Sequence, residues 1–112
     1  MPAESGPREG SSDVIGVRLA RAEQRLEAVS EGRPLCDLSR AGSPMSVKEA
    51  EGRVFALVEL RRQGADRLAE VLDSWETALA GTAETDRVWD AYRAGGVYEL
   101  RAVLAESAGG RA

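Results

Sequence analysis

The sequence predicts an all-α protein, a compact bundle of four to five short helices with disordered N- and C-terminal tails. Apolar residues recur every three or four positions through the middle of the chain, and β-strand signals are nearly absent. The 112 residues are enough for one domain with a modest core. Because both ends are small, polar and glycine-rich, we expect a flexible tail over residues 1–12, a single helical domain over 13–107 and a second flexible tail over 108–112.

The first predicted helix covers residues 13–31, with Ser12 or Asp13 accepting hydrogen bonds from its first-turn amides. Its apolar residues are spaced so that they form one stripe: Ile15, Leu19, Ala22, Leu26 and Val29. The stripe has two possible partners, the other helices of the same chain or a second copy in a dimer. Like charges at Arg21 and Arg25 gain nothing from each other, so their partners must also lie on another helix.

A loop follows over residues 32–45, with Leu35, Cys36 and Leu38 expected to tuck inward. Ser46 and Glu49 have the spacing of a capping box and predict the start of the second helix. Two arginines and then Gly64 favour an end to that helix, although the apolar register continues beyond it. We therefore predict a break at Gly64 rather than one continuous helix over 46–80.

The rest of the chain predicts three further helices. One over residues 66–80 has an apolar face consisting of Leu68, Val71, Leu72, Trp75 and Leu79. Thr82 is expected to cap a short helix over 83–94. Gly95 and Gly96 are expected to form a tight corner before a last helix over 97–107, whose apolar residues are Val97, Leu100, Val103 and Leu104.

Composition excludes several kinds of site. The chain has no histidine and one cysteine, which rules out His-dependent catalytic triads and a structural zinc site within one chain. We expect no enzyme activity and no cofactor. The polar N-terminus lacks the apolar core of a signal peptide, and no run is long enough for a membrane helix, so we expect a cytoplasmic protein. Fourteen arginines against one lysine are typical of a GC-rich bacterial genome.

Two motifs suggest other functions. Glu70 and Asp73, with Glu76 one turn later, resemble the Glu-x-x-Asp half of the Mg²⁺ site in MazG-type nucleotide pyrophosphohydrolases. The Glu-x-x-Glu half of that family's site is missing before residue 70, which favours a solvated helix face. Residues 91–107 have the outline of a helix-turn-helix, typical of a DNA-associated regulator or antitoxin-like protein. Carboxylates at Glu99 and Glu106 oppose phosphate binding there, as does the net charge of −4.

The remaining interpretation is a small interaction module, either a regulatory or adaptor protein or a subunit of a larger assembly. Its partner would be another protein, and a second copy of this chain is one candidate. We expect no membrane partner, and nucleic acid stays open as the less favoured alternative. Trp and Tyr are enriched in protein interfaces, although at core-facing positions they more often join helices. The candidate interaction residues are the stripe on the first helix and two aromatic residues: Ile15, Leu19, Leu26, Trp89 and Tyr92.

Overall fold

The structure, a computed structural model, describes residues 6–30, 43–83 and 85–109. These ranges contain four α-helices, one short 3-10 helix and no strand, which confirms the all-α class. The helices are α1 (Gly6–Ser30), α2 (Ser43–Gln63), α3 (Leu68–Ala80) and α4 (Arg87–Gly109), with the 3-10 helix (Ala65–Arg67) leading into α3. The predictions for residues 1–5, 31–42 and 110–112 lie outside the described residues, and they include those for Leu35, Cys36 and Leu38.

Helices α1 and α2 begin at Gly6 and Ser43, earlier than the caps predicted at Asp13 and Ser46. A proline is the second residue of each helix, where its missing amide hydrogen costs nothing. The predicted capping box is wrong, because the carboxylate of Glu49 binds arginine side chains on α1 and α2 instead. Residues 6–12, predicted as part of a tail, are therefore the first turns of α1.

Gly64 separates α2 from the 3-10 helix, and the predicted break is confirmed. Its φ of 106° lies in the left-handed region, which glycine adopts without steric cost. Its amide donates to the carbonyl oxygen of Leu60 at 2.8 Å and so satisfies one of the free carbonyls at the end of α2. Helix α3 then ends at Ala80, with Gly81 after it, as the sequence predicted.

The last two predicted helices are one helix, α4, and the corner at Gly95 and Gly96 is wrong. Both glycines are buried inside the helix. A Cβ atom on Gly95 would lie 2.3 Å from the carbonyl oxygen of Glu49, and one on Gly96 would lie 2.3 Å from the ring of Trp75. These glycines allow α4 to approach α2 and α3 closely, which offsets their cost of about 1 kcal/mol each in a helix interior.

The start of α4 also differs from the prediction, since Thr82 does not cap it. The Oδ1 atom of Asp86 accepts a hydrogen bond from the amide of Trp89 at 3.4 Å, the position of an N-cap. The hydroxyl of Thr82 instead accepts a hydrogen bond from Arg93 at 2.8 Å. The chain between α3 and α4 is thereby tied to the first turns of α4.

Helices α2 and α4 form the central pair, with their most extensive contact along each other, while α1 and α3 pack beside them. The core they share is formed by Ile15, Leu19, Ala22, Ala56, Leu57, Leu60, Val71, Leu72, Val97, Leu100 and Val103. Leu104, which the sequence placed on the core face, is 48% exposed. Ile15, Leu19 and Ala22 of the stripe on α1 therefore pack within their own chain, one of the two alternatives that its spacing allowed. Leu26 and Val29 of the same stripe are half-buried.

Candidate functional site

Four aromatic side chains meet where α2, α3 and α4 come together: Phe55, Trp75, Trp89 and Tyr92. We call them the aromatic cluster. Tyr92 is at its centre, stacked on Trp75 with ring centroids 5.5 Å apart and meeting the ring of Trp89 edge-on at 5.2 Å. Phe55 lies on another side of Tyr92, with a centroid distance of 6.2 Å. Offset and edge-on geometries of this kind are those that aromatic rings prefer.

The cluster is buried on one side and exposed on the other. Trp75 is half-buried against Gly96, and its Nε1 donates to Glu59 at 2.9 Å. Phe55 is 52% exposed and Trp89 is 42% exposed. We call these two exposed rings, with the half-buried Tyr92 that both contact, the aromatic surface.

Charged side chains surround the aromatic surface. The Lys48 ammonium lies 4.9 Å from the ring centre of Trp89 and pairs with Glu51 at 3.1 Å. Arg93 also lies against Trp89, at 5.9 Å, while its Nη1 donates to the hydroxyl of Thr82. Both cations are in the range where a ring face attracts positive charge.

Electrostatics at the centre of the cluster favour neutral Tyr92. Partial burial is the main cause that raises the pKa of the Tyr92 phenol, and the negative charges of Glu51 and Glu59 raise it further. Arg93 lowers the same pKa but does not offset them. The charges of Glu51 and Glu59 on α2 therefore make ionisation of the Tyr92 phenol on α4 less favourable.

A shallow pocket of 190 Å³ opens beside the stacked pair Trp75 and Tyr92. Ser74, Ala78 and Arg93 complete its lining. The pocket shares Tyr92 with the aromatic surface, but neither Phe55 nor Trp89 lines it.

A second junction, between α1, α2 and α4, is held by charges. Glu99 is 4% exposed, and its carboxylate accepts from Arg18 Nε at 2.7 Å and from Arg53 Nη1 at 3.3 Å. Arg18 also binds Glu106, and Arg53 binds Glu49 at 2.8 Å. We call these five residues the charged junction. A buried carboxylate between two guanidinium groups is satisfied, so it ties α1 to the central pair.

The charged junction confirms one sequence prediction. Arg25 pairs with Glu49 at 3.2 Å, so its partner does lie on another helix, in the same chain. Burial lowers the pKa of the Arg18 guanidinium, but the hydrogen bonds and charges of Glu99 and Glu106 outweigh burial and raise that pKa overall. The junction is thus a closed set of contacts within the chain.

The five predicted interaction residues separate into two groups. Ile15 and Leu19 are 2% and 3% exposed in the core, so they do not form an accessible interaction surface, and Leu26 is half-buried on α1. Trp89 and Tyr92 come together in the aromatic cluster. They remain the predicted residues that an interaction surface can use.

Phe55 and Tyr98 are exposed aromatic residues that are not among the predicted interaction residues. Phe55 was not selected because, in the sequence, its apolar side chain resembles those of its buried neighbours. A signal was present in the helical spacing. Phe55 lies four residues from both Glu51 and Glu59 and so shares a face with charges, whereas Ala56, Leu57 and Leu60 in the same helix are buried.

Two of the three carboxylates considered for Mg²⁺ have partners elsewhere. Glu70 binds Arg67, and Glu76 binds Arg101 on α4 at 2.8 Å. In residues 6–30, 43–83 and 85–109, no three His, Cys, Asp or Glu side chains are grouped closely enough to hold a metal ion. The helix-turn-helix outline is also wrong, since α4 runs straight through its supposed turn.

The chain matches no protein-family model, no curated protein and no solved structure. No helix in the described ranges has an apolar stretch long enough to cross a bilayer. What the chain does must be inferred from its own residues.

Proposed function

We propose that this chain is a cytoplasmic, non-catalytic protein–protein interaction module, a regulator, adaptor or subunit of a larger assembly, which binds its partner through the aromatic surface. The observation that carries this proposal is that Phe55 and Trp89, which both contact Tyr92, are 52% and 42% exposed. Scattered exposed apolar residues are ordinary on protein surfaces, but contiguous ones mark interaction sites.

Covering this surface would contribute favourable free energy to binding. A large aromatic side chain can bury 150–250 Å², so the exposed halves of Phe55 and Trp89 offer on the order of 200 Å² together. At roughly 25 cal/mol per Å², covering them contributes about 5 kcal/mol. Residues of this kind dominate the energetics of protein interfaces.

The aromatic surface is also held in place before binding. Tyr92 is fixed between Trp75 and Trp89, and the backbone of Tyr92 lies against Gly52, where a Cβ atom would be 1.8 Å from its carbonyl oxygen. Rings that are already ordered lose little side-chain entropy when a partner covers them. This supports a role in recognition for the surface.

The test is affinity capture from nuclease-treated lysate of the source cells, with three forms of the chain as bait. These are the wild type, Phe55→Ala and the matched control Leu104→Ala, which truncates a residue of similar exposure (48%) outside the aromatic cluster. Circular dichroism first establishes that all three are folded. Bound proteins are identified and quantified by mass spectrometry.

We expect a protein retained by the wild type and by Leu104→Ala to be lost or strongly reduced with Phe55→Ala. Trp89→Ala should show the same loss. The proposal is contradicted if all the baits retain the same proteins, or if capture occurs only in lysate from which nuclease was omitted.

A further inference from the structure

We propose that the partner segment seated on the aromatic surface is cationic, and that one of its arginine side chains stacks on Phe55 between Glu51 and Glu59. This inference rests on the proposed function, because it specifies the chemistry of the partner for the same surface. It commits to a basic protein segment as the occupant.

The arrangement follows from helical spacing on α2. Glu51 lies four residues before Phe55 and Glu59 four residues after it, so all three share one face of the helix. The Phe55 ring is half exposed between them. A ring face with a carboxylate on either side offers a guanidinium group both a cation–π contact and an ion pair.

The charges around the aromatic cluster also favour a cationic partner at Phe55. Glu51 and Glu59 both act on the phenol of Tyr92, whose ring is 6.2 Å from that of Phe55, and they outweigh the opposing effect of Arg93 there. The Glu59 carboxylate accepts hydrogen bonds from Trp75 and Gln63. Both donors are neutral, so they do not cancel its negative charge. Because Glu51 is also paired with Lys48 at 3.1 Å, the charge of Glu59 is the main attraction for an incoming cation at Phe55.

The chain already uses this chemistry within itself. The Lys48 ammonium lies over Trp89 at 4.9 Å and pairs with Glu51, which places a cation between a ring and a carboxylate. The Arg53 guanidinium lies 4.4 Å from the ring centre of Tyr98, farther along α4. Such contacts are therefore compatible with the local geometry, and Phe55 offers a further ring of the same kind.

Arginine fits better than lysine, and a basic segment fits better than a second copy of this chain. The guanidinium group is planar and weakly hydrated, so it stacks on a ring at a lower desolvation cost than an ammonium group. A symmetric dimer would place the same patch against itself, which would bring Glu51 and Glu59 towards their own copies. Both chains would also carry a net charge of −4.

Tryptophan fluorescence provides the test, because the only two tryptophans of the chain lie in the aromatic cluster. Three short synthetic peptides are titrated: one of Leu, Ala and Arg, and two of identical pattern with every Arg replaced by Gln or by Glu. Each is measured with the wild type, with Glu51→Gln/Glu59→Gln and with Glu23→Gln/Glu27→Gln. The last is a matched control that removes two exposed charges from α1.

We expect the Arg peptide to bind the wild type and the Glu23→Gln/Glu27→Gln control equally, and to bind Glu51→Gln/Glu59→Gln about tenfold more weakly. The Gln peptide should bind more weakly than the Arg peptide, and the Glu peptide more weakly still. Gln at position 59 keeps an acceptor for Trp75, so the variant should remain folded, as circular dichroism would verify.

Equal binding of the Arg and Gln peptides, no response to Glu51→Gln/Glu59→Gln, or no binding of the Arg peptide would overturn the inference. So would a fluorescence change that depends on protein concentration without peptide, since a second copy would then be the occupant. The proposed function has its own test, the capture experiment, and is contradicted there if Phe55→Ala leaves capture of the cellular partner unchanged.

Discussion

The charged junction buries a charged group, whereas the aromatic surface exposes large apolar rings. Each is the reverse of the usual distribution in a folded protein. At the charged junction a carboxylate, Glu99, is 4% exposed and held by two arginines. At the aromatic surface, Phe55 and Trp89 are 52% and 42% exposed. Charged groups are rarely buried unless they are paired, and the largest apolar rings are rarely left outside together. The first junction is complete within the chain, whereas the second gains free energy only when something else covers it.

The largest effect on stability should come from breaking the charged junction. Glu99→Ala leaves Arg18 and Arg53 without their shared buried carboxylate, and we expect it to lower the free energy of unfolding by about 3 kcal/mol. Urea unfolding followed by circular dichroism measures this. Glu106→Ala, in which the replaced side chain is 48% exposed, should cost less than about 1 kcal/mol. Equal costs for the two variants would show that Glu99 is not held as described.

A change at the contact between α2 and α4 affects both regions. Gly52→Ala would place a Cβ atom 1.8 Å from the carbonyl oxygen of Tyr92, and we expect a loss of about 2 kcal/mol as the helices move apart. Gly16→Ala is the control, since nothing lies within 4 Å of a Cβ atom there. That change should stabilise α1 by up to about 1 kcal/mol. Thermal unfolding of the two variants should shift in opposite directions, and a stabilised Gly52→Ala would contradict the packing described.

Within the aromatic cluster, the buried side should matter more for stability than the exposed side. Trp75→Phe removes the hydrogen bond from Nε1 to Glu59, and we expect a cost of about 1 kcal/mol from that bond, with the smaller ring adding to it. Trp89→Phe, at a residue 42% exposed, should cost clearly less. Urea unfolding of both variants makes the comparison. A larger loss for Trp89→Phe would mean that the exposed side of the cluster has been assigned to the wrong ring.

The smallest predicted effect is a pH dependence confined to alkaline conditions. Burial, followed by the charges of Glu51 and Glu59, raises the pKa of Tyr92 in the folded chain. The resulting stability is fully present below the unfolded pKa of about 10 and is lost as the pH rises through the raised folded pKa. Unfolding of the wild type and of Tyr92→Phe, measured from pH 8 to 12 or so, should therefore differ in slope only above about pH 10. Identical slopes there would contradict the shift.

The sequence could predict features of the fold that depend on neighbouring residues. The break at Gly64 follows from two arginines and a glycine at the end of an apolar register, and the end of α3 before Gly81 follows from similar local chemistry. Gly95 and Gly96 misled the same reasoning. A glycine pair that permits close helix packing has the same local appearance as one that forms a corner, and only contacts with α2 and α3 distinguish them.

The candidate site was predictable only in part, because some of its features depend on contacts between helices that are distant in sequence. Trp89 and Tyr92 could be selected because they are a turn apart on one predicted helix. The burial of Glu99 could not be predicted, because its partners Arg18 and Arg53 are 81 and 46 residues away in sequence. Phe55 has an apolar side chain like its buried neighbours, and its exposure depends on where α4 crosses α2.

Acrylamide quenching of Trp89 in the Trp75→Phe variant, where it is the only tryptophan, reports directly whether the aromatic surface is accessible in the folded chain. Quenching is measured over a wide range of protein concentration, with the unfolded chain in urea as the reference. We expect acrylamide to quench Trp89 in the folded chain at every protein concentration, with a quenching constant between those of a buried ring and of the unfolded chain. A Trp89 that acrylamide cannot reach in dilute folded protein would contradict this expectation, because the aromatic surface would already be covered within the chain.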